Sequence, residues 1–132
     1  MSTRQAARSC GQLRLTVEGD PIRVSICHCL ACQRRTGSAF GVQARFAAEQ
    51  VTTEGASREF IRVSDDGKNR AFFHFCPDCG ATVFFTLEAM PGNVAVPVGA
   101  FADPAFPAPV RSIWEERQHA WLELPDNIEH MA

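Results

Sequence analysis

Three observations predict a mainly β protein, a folded sheet or sandwich with one short helix. Most apolar residues alternate with polar ones over short runs, Gly and Pro break those runs at near-regular intervals, and helical signal is confined to one short stretch. In chain order, Leu13–Val17 and Ile22–Ile26 each alternate as half-buried strands do, and Gly19-Asp20-Pro21 between them predicts a hairpin. The only helical stretch, about Ala31–Thr36, stops at Gly37. Phe40–Phe46 alternates again, followed by strand candidates at Val51–Thr53, Phe60–Val63, Arg70–Phe75, Thr82–Leu87, Val94–Val98 and Val110–Trp114. Ser64–Gly67 and Met90–Asn93 read as turns, and the proline-rich stretch Ala100–Pro109 as an extended connector. No repeat or linker divides the chain, so residues 1–132 are expected to form a single domain.

Composition narrows the function classes. A net charge of −2 and a pI of about 6.1 argue against nucleic-acid binding, and no basic–aromatic stripe is present. No apolar run is long enough for a membrane span, and the polar N-terminal segment lacks the apolar core of a secretory signal. A cytoplasmic, reducing setting is therefore expected. There the 6 cysteines of the chain are better explained by metal than by disulfides. Cys27 and Cys29 are too close to bridge each other without strain, whereas C-x-C and C-x-x-C arms suit chelation of zinc.

The cysteines fall into two groups. Cys76-Pro77-Asp78-Cys79-Gly80 has the features of a zinc knuckle, in which backbone N–H groups face the sulfurs and the glycine accepts positive φ. Cys10 is the obvious partner, but it adds only one further thiolate. Cys27-His28-Cys29-Leu30-Ala31-Cys32 places three thiolates within six residues, enough to cover one face of a zinc ion and leave its fourth position free. Either His28 closes that site or, as its place between two ligands suggests, its ring points away. The six cysteines sharing fewer metals is the other alternative. A thiolate-rich zinc carries net negative charge and is a weak activator of water, so a sulfur substrate suits it better than hydrolysis.

These residues resemble the glutathione-dependent formaldehyde-activating enzyme family, which includes the centromere protein V-like proteins. The resemblance rests on Ser9–Leu15, Cys27–Phe40 and His74–Gly80, with Ile113 to Asp126 similar to the family's C-terminal end. It implies an Mss4-like zinc-binding fold and two zinc sites, with Cys10, Cys76 and Cys79 at structural-site positions and Cys27, Cys29 and Cys32 at catalytic-site positions. It also implies a carbon–sulfur lyase type of activity, joining glutathione and formaldehyde as S-(hydroxymethyl)glutathione. Two positions depart from the family pattern. Arg8 stands where a cysteine is usual, leaving water or His74 as a fourth ligand or Arg8 as a charge counterweight. Ser112 stands where histidine is common.

Arg34 and Arg35, just past the open cysteine group, are candidates to receive a glutathione carboxylate, against a solvated role on the helix. The phenylalanines, including Phe46, Phe72, Phe73, Phe75, Phe84 and Phe85, are expected in the core and cavity wall, and Trp114 and Trp121 to pin the C-terminal segment. With no tyrosine, a phenolic general acid is excluded. A competing reading is a non-catalytic zinc module that binds a protein partner, which requires an exposed apolar patch.

Overall fold

The computed structural model describes residues 2–132. Its elements are β1 (Thr3–Ala7), β2 (Arg14–Glu18), β3 (Arg23–Cys27), α1 (Leu30–Thr36), β4 (Gly41–Ala47), β5 (Val51–Glu54), β6 (Arg58–Val63), β7 (Arg70–Phe75), β8 (Thr82–Leu87), β9 (Asn93–Pro97), β10 (Arg111–Ile113) and β11 (Glu129–His130). They form a three-stranded sheet, β1-β2-β5, and an eight-stranded sheet, β11-β10-β3-β4-β9-β8-β7-β6. The mainly β expectation holds. No helix among the described residues is long and apolar enough to cross a membrane.

The core lies where the small sheet covers the middle of the large one. Ala6, Leu15 and Val17 from the small sheet meet Val24, Ala44, Phe46, Val83 and Val96 from the large one. Strand alternation sends these side chains to one face while Arg14, Thr16 and Glu18 of β2 turn toward solvent or its edge. Phe46 is fully buried, and its ring lies 6.2 Å from that of Phe101.

The predicted hairpin between Leu13–Val17 and Ile22–Ile26 does not form. β2 pairs with β1 and β5, whereas β3 pairs with β4 and β10. Both strands carry an apolar face that must be buried, and facing each other across a core buries both where edge pairing in one sheet would not. Gly19-Asp20-Pro21 is thus a corner between sheets. Gln50 fastens it by donating to the carbonyls of Glu18 (2.9 Å) and Asp20 (3.0 Å). The stretch expected as an extended connector begins with a 3-10 turn, Val98–Phe101, and buries Phe101 and Phe106 as a stacked pair against the core. β1 was not foreseen because only Ala6 of its five residues is buried.

β6 and β7 extend the large sheet past this core. β6 is its edge strand and is exposed along most of its length, and no residue of either strand belongs to the buried cluster. The sheet surface left uncovered there faces α1 and forms the floor of the site.

Candidate metal centres and the adjoining cleft

Two groups of three cysteines converge, each with its sulfurs within 4.8 Å of one another: Cys10, Cys76 and Cys79, and Cys27, Cys29 and Cys32. Both groups are the ones the spacing anticipated, and all six cysteines are free. A tetrahedral zinc–thiolate site with bonds of about 2.3 Å separates its sulfurs by roughly 3.8 Å. The Cys10–Cys76 and Cys10–Cys79 sulfur separations of 3.4 and 3.9 Å bracket that value. In donor chemistry and spacing, each group can hold a thiophilic metal ion.

Cys27 ends β3, where it is buried opposite Gly41 of β4 and Ile113 of β10. Cys29 is the N-cap of α1, and its sulfur accepts the Cys32 N–H at 3.3 Å. Gly37 closes the helix in the left-handed conformation, φ 66°, as predicted. Thiol hydrogen bonds from Cys27 and Cys32, reinforced by the N–H groups of Cys32 and Ala31, draw Cys29 down to about 2. The same crowding, led by Cys29, pushes Cys27 up. Three thiols this close disfavour one another's ionisation, and a bound cation would favour release of their protons.

His28 points away from the sulfurs. Its ring is fully buried, with Nε2 2.9 Å from Ser112 Oγ and its centroid 6.0 Å from that of Phe40, and burial lowers its pKa. Ser112 therefore stands inside the structure as the hydrogen-bond partner of His28. The backbone of β10 holds the same residue, since His28 N–H donates to the Ile113 carbonyl at 3.1 Å.

At the other group, Arg8 does not reach into the cysteines. Its Nη1 donates to the Thr82 carbonyl at 3.2 Å, tying the end of β1 to β8. His74 is also turned elsewhere: it stacks on Phe84 at 4.4 Å, with Ser57 and Glu59 each 3.4 Å from a ring nitrogen. Neither residue's side chain joins the converging sulfurs. The residue that does approach is Gln12, which the sequence did not single out. Its Nε2 donates to Cys76 Sγ at 3.3 Å and to the Ala56 carbonyl at 2.7 Å, while its Oε1 accepts the Ala56 N–H at 3.0 Å. Burial alone would push Cys76 up, but Gln12 and the N–H groups of Cys79 and Asp78 outweigh it and bring the thiol to about 6. Cys10 is raised: the Gln12 backbone N–H favours its thiolate, but Cys76, burial and Cys79 together prevail.

Between the two groups lies a cleft of about 560 Å³, bounded by α1 on one side and by β6, β7 and the start of β8 on the other. Alternation along β7 puts Phe73 and Phe75 on its floor and turns Phe72 and His74 to the opposite face. Arg34, Arg35 and Arg62 supply its charge. Both candidate arginines thus border the cleft, but differently. Arg34 is exposed, while the Arg35 guanidinium is held 5.7 Å from the Phe73 ring centroid and 5.1 Å from that of Phe85. Gly41 leaves the room for it: a Cβ there would lie 3.1 Å from Arg35 Nη2 and 3.6 Å from Cys32 Sγ. Arg35 is consequently a fixed cation beside the Cys27–Cys32 group. Gln33, also unforeseen, clamps the C-terminal segment to the helix through the carbonyls of His28 and Arg117 and the ring of His119, all within 3.1 Å.

Among solved structures, a crystal structure of a Rhodobacter sphaeroides protein is similar in fold, with a TM-score of 0.58 and 20% identity over 76% of this chain and 91% of that one. No curated protein matches the chain. The sequence profile of the glutathione-dependent formaldehyde-activating enzymes matches residues 3–117, which takes in both cysteine groups and α1 but leaves out the stretch from Gln118 to Asp126. By that match, spanning most of its length, the chain belongs to the glutathione-dependent formaldehyde-activating enzyme family.

Proposed function

We propose that the chain is a zinc-dependent carbon–sulfur lyase or synthase acting on glutathione or a related thiol adduct. The observation that carries this reading is the Cys27, Cys29 and Cys32 group, three converging sulfurs beside a cation-lined cleft. Zinc held there would supply a soft Lewis acid with one position left for a substrate sulfur. Cys10, Cys76 and Cys79 would hold a second, structural zinc. The reaction needs no oxidant. In the synthetic direction the thiol sulfur adds to an aldehyde carbon, the carbon–oxygen π pair moves to oxygen, and the thiol proton ends on that oxygen.

The chain's own residues contribute charge and position. Arg35, beside Cys32, offsets the negative charge of three thiolates and favours an incoming anionic sulfur. Arg34, exposed at the cleft rim, is placed to receive a glutathione carboxylate. Buried His28, hydrogen-bonded to Ser112, holds the backbone between Cys27 and Cys29 in place without competing for the metal.

Metal analysis with a thiol titration tests the reading. Two zinc equivalents, one of which changes its cobalt-substituted absorption on adding glutathione, are expected. A single inert zinc equivalent would instead favour a non-catalytic module binding a protein partner, a reading supported by the exposure of Phe60, Ile61 and Val63 on the edge strand.

A further inference from the structure

The cleft between α1 and the β6–β7 extension has a chemistry of its own. Its floor and far wall are aromatic, formed by Phe60, Phe73 and Phe75, and no acidic residue lines it. Three arginines do. Arg62 meets Asp65 at 3.0 Å, but Asp65 is almost fully exposed, so that pair is weak. Arg34 and Arg35 form no ion pair among the described residues. Like charges around one apolar concavity repel each other until an anion enters, and the aromatic rings offer faces for offset stacking.

We infer that this cleft binds a small carboxylate with a flat apolar body. The carboxylate pairs with Arg34 and Arg62 across the mouth, whose guanidinium groups can receive it bidentately, and the body lies against Phe60, Phe73 and Phe75. Arg35 lies over the adjoining rings of Phe73 and Phe85 with its Nε and Nη2 buried and unpartnered, and adds positive field from the inner wall. The volume of about 560 Å³ is within the range of small-ligand sites and far exceeds what a one-carbon aldehyde occupies. A polar tripeptide anchored by its carboxylate at Arg34 on the rim would leave the aromatic floor poorly used. No cysteine lines the cleft, so this inference does not rest on the zinc reading.

The test is calorimetric titration of the zinc-loaded protein with 2-naphthoate, its neutral counterpart 2-naphthylmethanol, and glutathione. 2-Naphthoate is expected to bind saturably, roughly tenfold or more tighter than either other probe, because a charge-assisted pair is lost in the alcohol and the apolar contact in glutathione. The double variant R34A/R62A should weaken it by at least roughly tenfold, and F60A, at an exposed edge position, by a few-fold. Amide shift changes on adding 2-naphthoate should concentrate in Ala31–Arg35, β6 and β7. Equal binding of the alcohol or of glutathione, unchanged affinity in R34A/R62A, shifts centred elsewhere, or absence of saturation would each overturn the inference. The cobalt readout with glutathione is separate, so either reading can fail alone.

Discussion

Arg35 shows how one side chain can serve fold and site together. It lies over the rings of Phe73 and Phe85, Gly41 opens the space for its Nη2, and its charge favours the Cys32 thiolate. Arg35→Met keeps the apolar bulk and removes the cation. It should weaken metal retention, measured by chelator competition, by roughly tenfold, the size expected for one charge acting a few ångströms away through partly screened protein. Unchanged retention would show that Arg35 only packs. Gly41→Ala should cost about 1 kcal/mol in urea unfolding, since the new methyl presses on Arg35 Nη2 and only touches Cys32. The Cys27–Cys32 and Cys76–Cys79 arms were legible from spacing because neighbouring ligands need only local backbone to converge, whereas Cys10 joins Cys76 from 66 residues away. Arg35's role was not, because the rings that fix it come from strands distant in sequence. The sequence placed it as a solvated helix residue or a carboxylate receptor, and could not show that its guanidinium lies over two adjoining rings.

At the scale of elements, the turns and strand ends do the positioning. Gln12 binds three groups at once, and Gly55 allows the chain to pass it: a Cβ on Gly55 would stand 1.9 Å from the Gln12 carbonyl oxygen. Gln12→Ala should destabilise the fold by roughly 1–3 kcal/mol in urea unfolding, because the Ala56 carbonyl and the Cys76 sulfur both lose a donor. The C-terminal strand β11 is held by backbone bonds, including Met131 N–H to the Ser112 carbonyl at 2.9 Å, and by His130 Nδ1 at 2.6 Å from Glu115. Glu115 raises the His130 pKa, so that side of the pairing is complete below about 6.5 and is lost as pH rises through the raised value. Burial would raise Glu115, but His130 and Ser112 outweigh it and leave its pKa lowered. Its share is therefore present above about 4.5 and is lost as pH falls through the depressed value. Protection of the Met131 amide against hydrogen exchange should peak between those limits and decline as His130 deprotonates. A flat protection factor into the alkaline range would show that backbone bonds alone hold β11. Most strands were legible because each carries its own alternation. β11, two residues long, carries none, and Ile22–Ile26 was legible as a strand but not as to which sheet it joins.

For the whole molecule the two cysteine groups differ in what they connect. Cys27, Cys29 and Cys32 lie on one continuous stretch from β3 into α1, so a metal there closes only a very short loop. Cys10 precedes β2 of the small sheet, whereas Cys76 and Cys79 lie between β7 and β8 of the large one, so a metal there staples one sheet to the other. The first relation follows from cysteine spacing, but the second could not be read there, since it depends on the corner at Gly19–Pro21 sending β2 and β3 to separate sheets. The difference has an energetic consequence. Closing a long loop removes far more freedom from the unfolded chain than closing a short one, and by the loop-entropy relation a link of this span is worth roughly 4 kcal/mol. Binding that occurs only in the folded state adds to that. Urea unfolding with and without zinc should therefore separate Cys79→Ser from Cys32→Ser. Cys79→Ser should lose most of the zinc-dependent stability while its remaining metal still responds to glutathione. Cys32→Ser should retain most of that stability and lose the glutathione response. Equal losses of stability in the two variants would mean that the second group does not join the sheets through a metal. A glutathione response surviving in Cys32→Ser but absent in Cys79→Ser would move the thiol chemistry to the Cys10 group, whose Cys10 and Cys79 are both exposed.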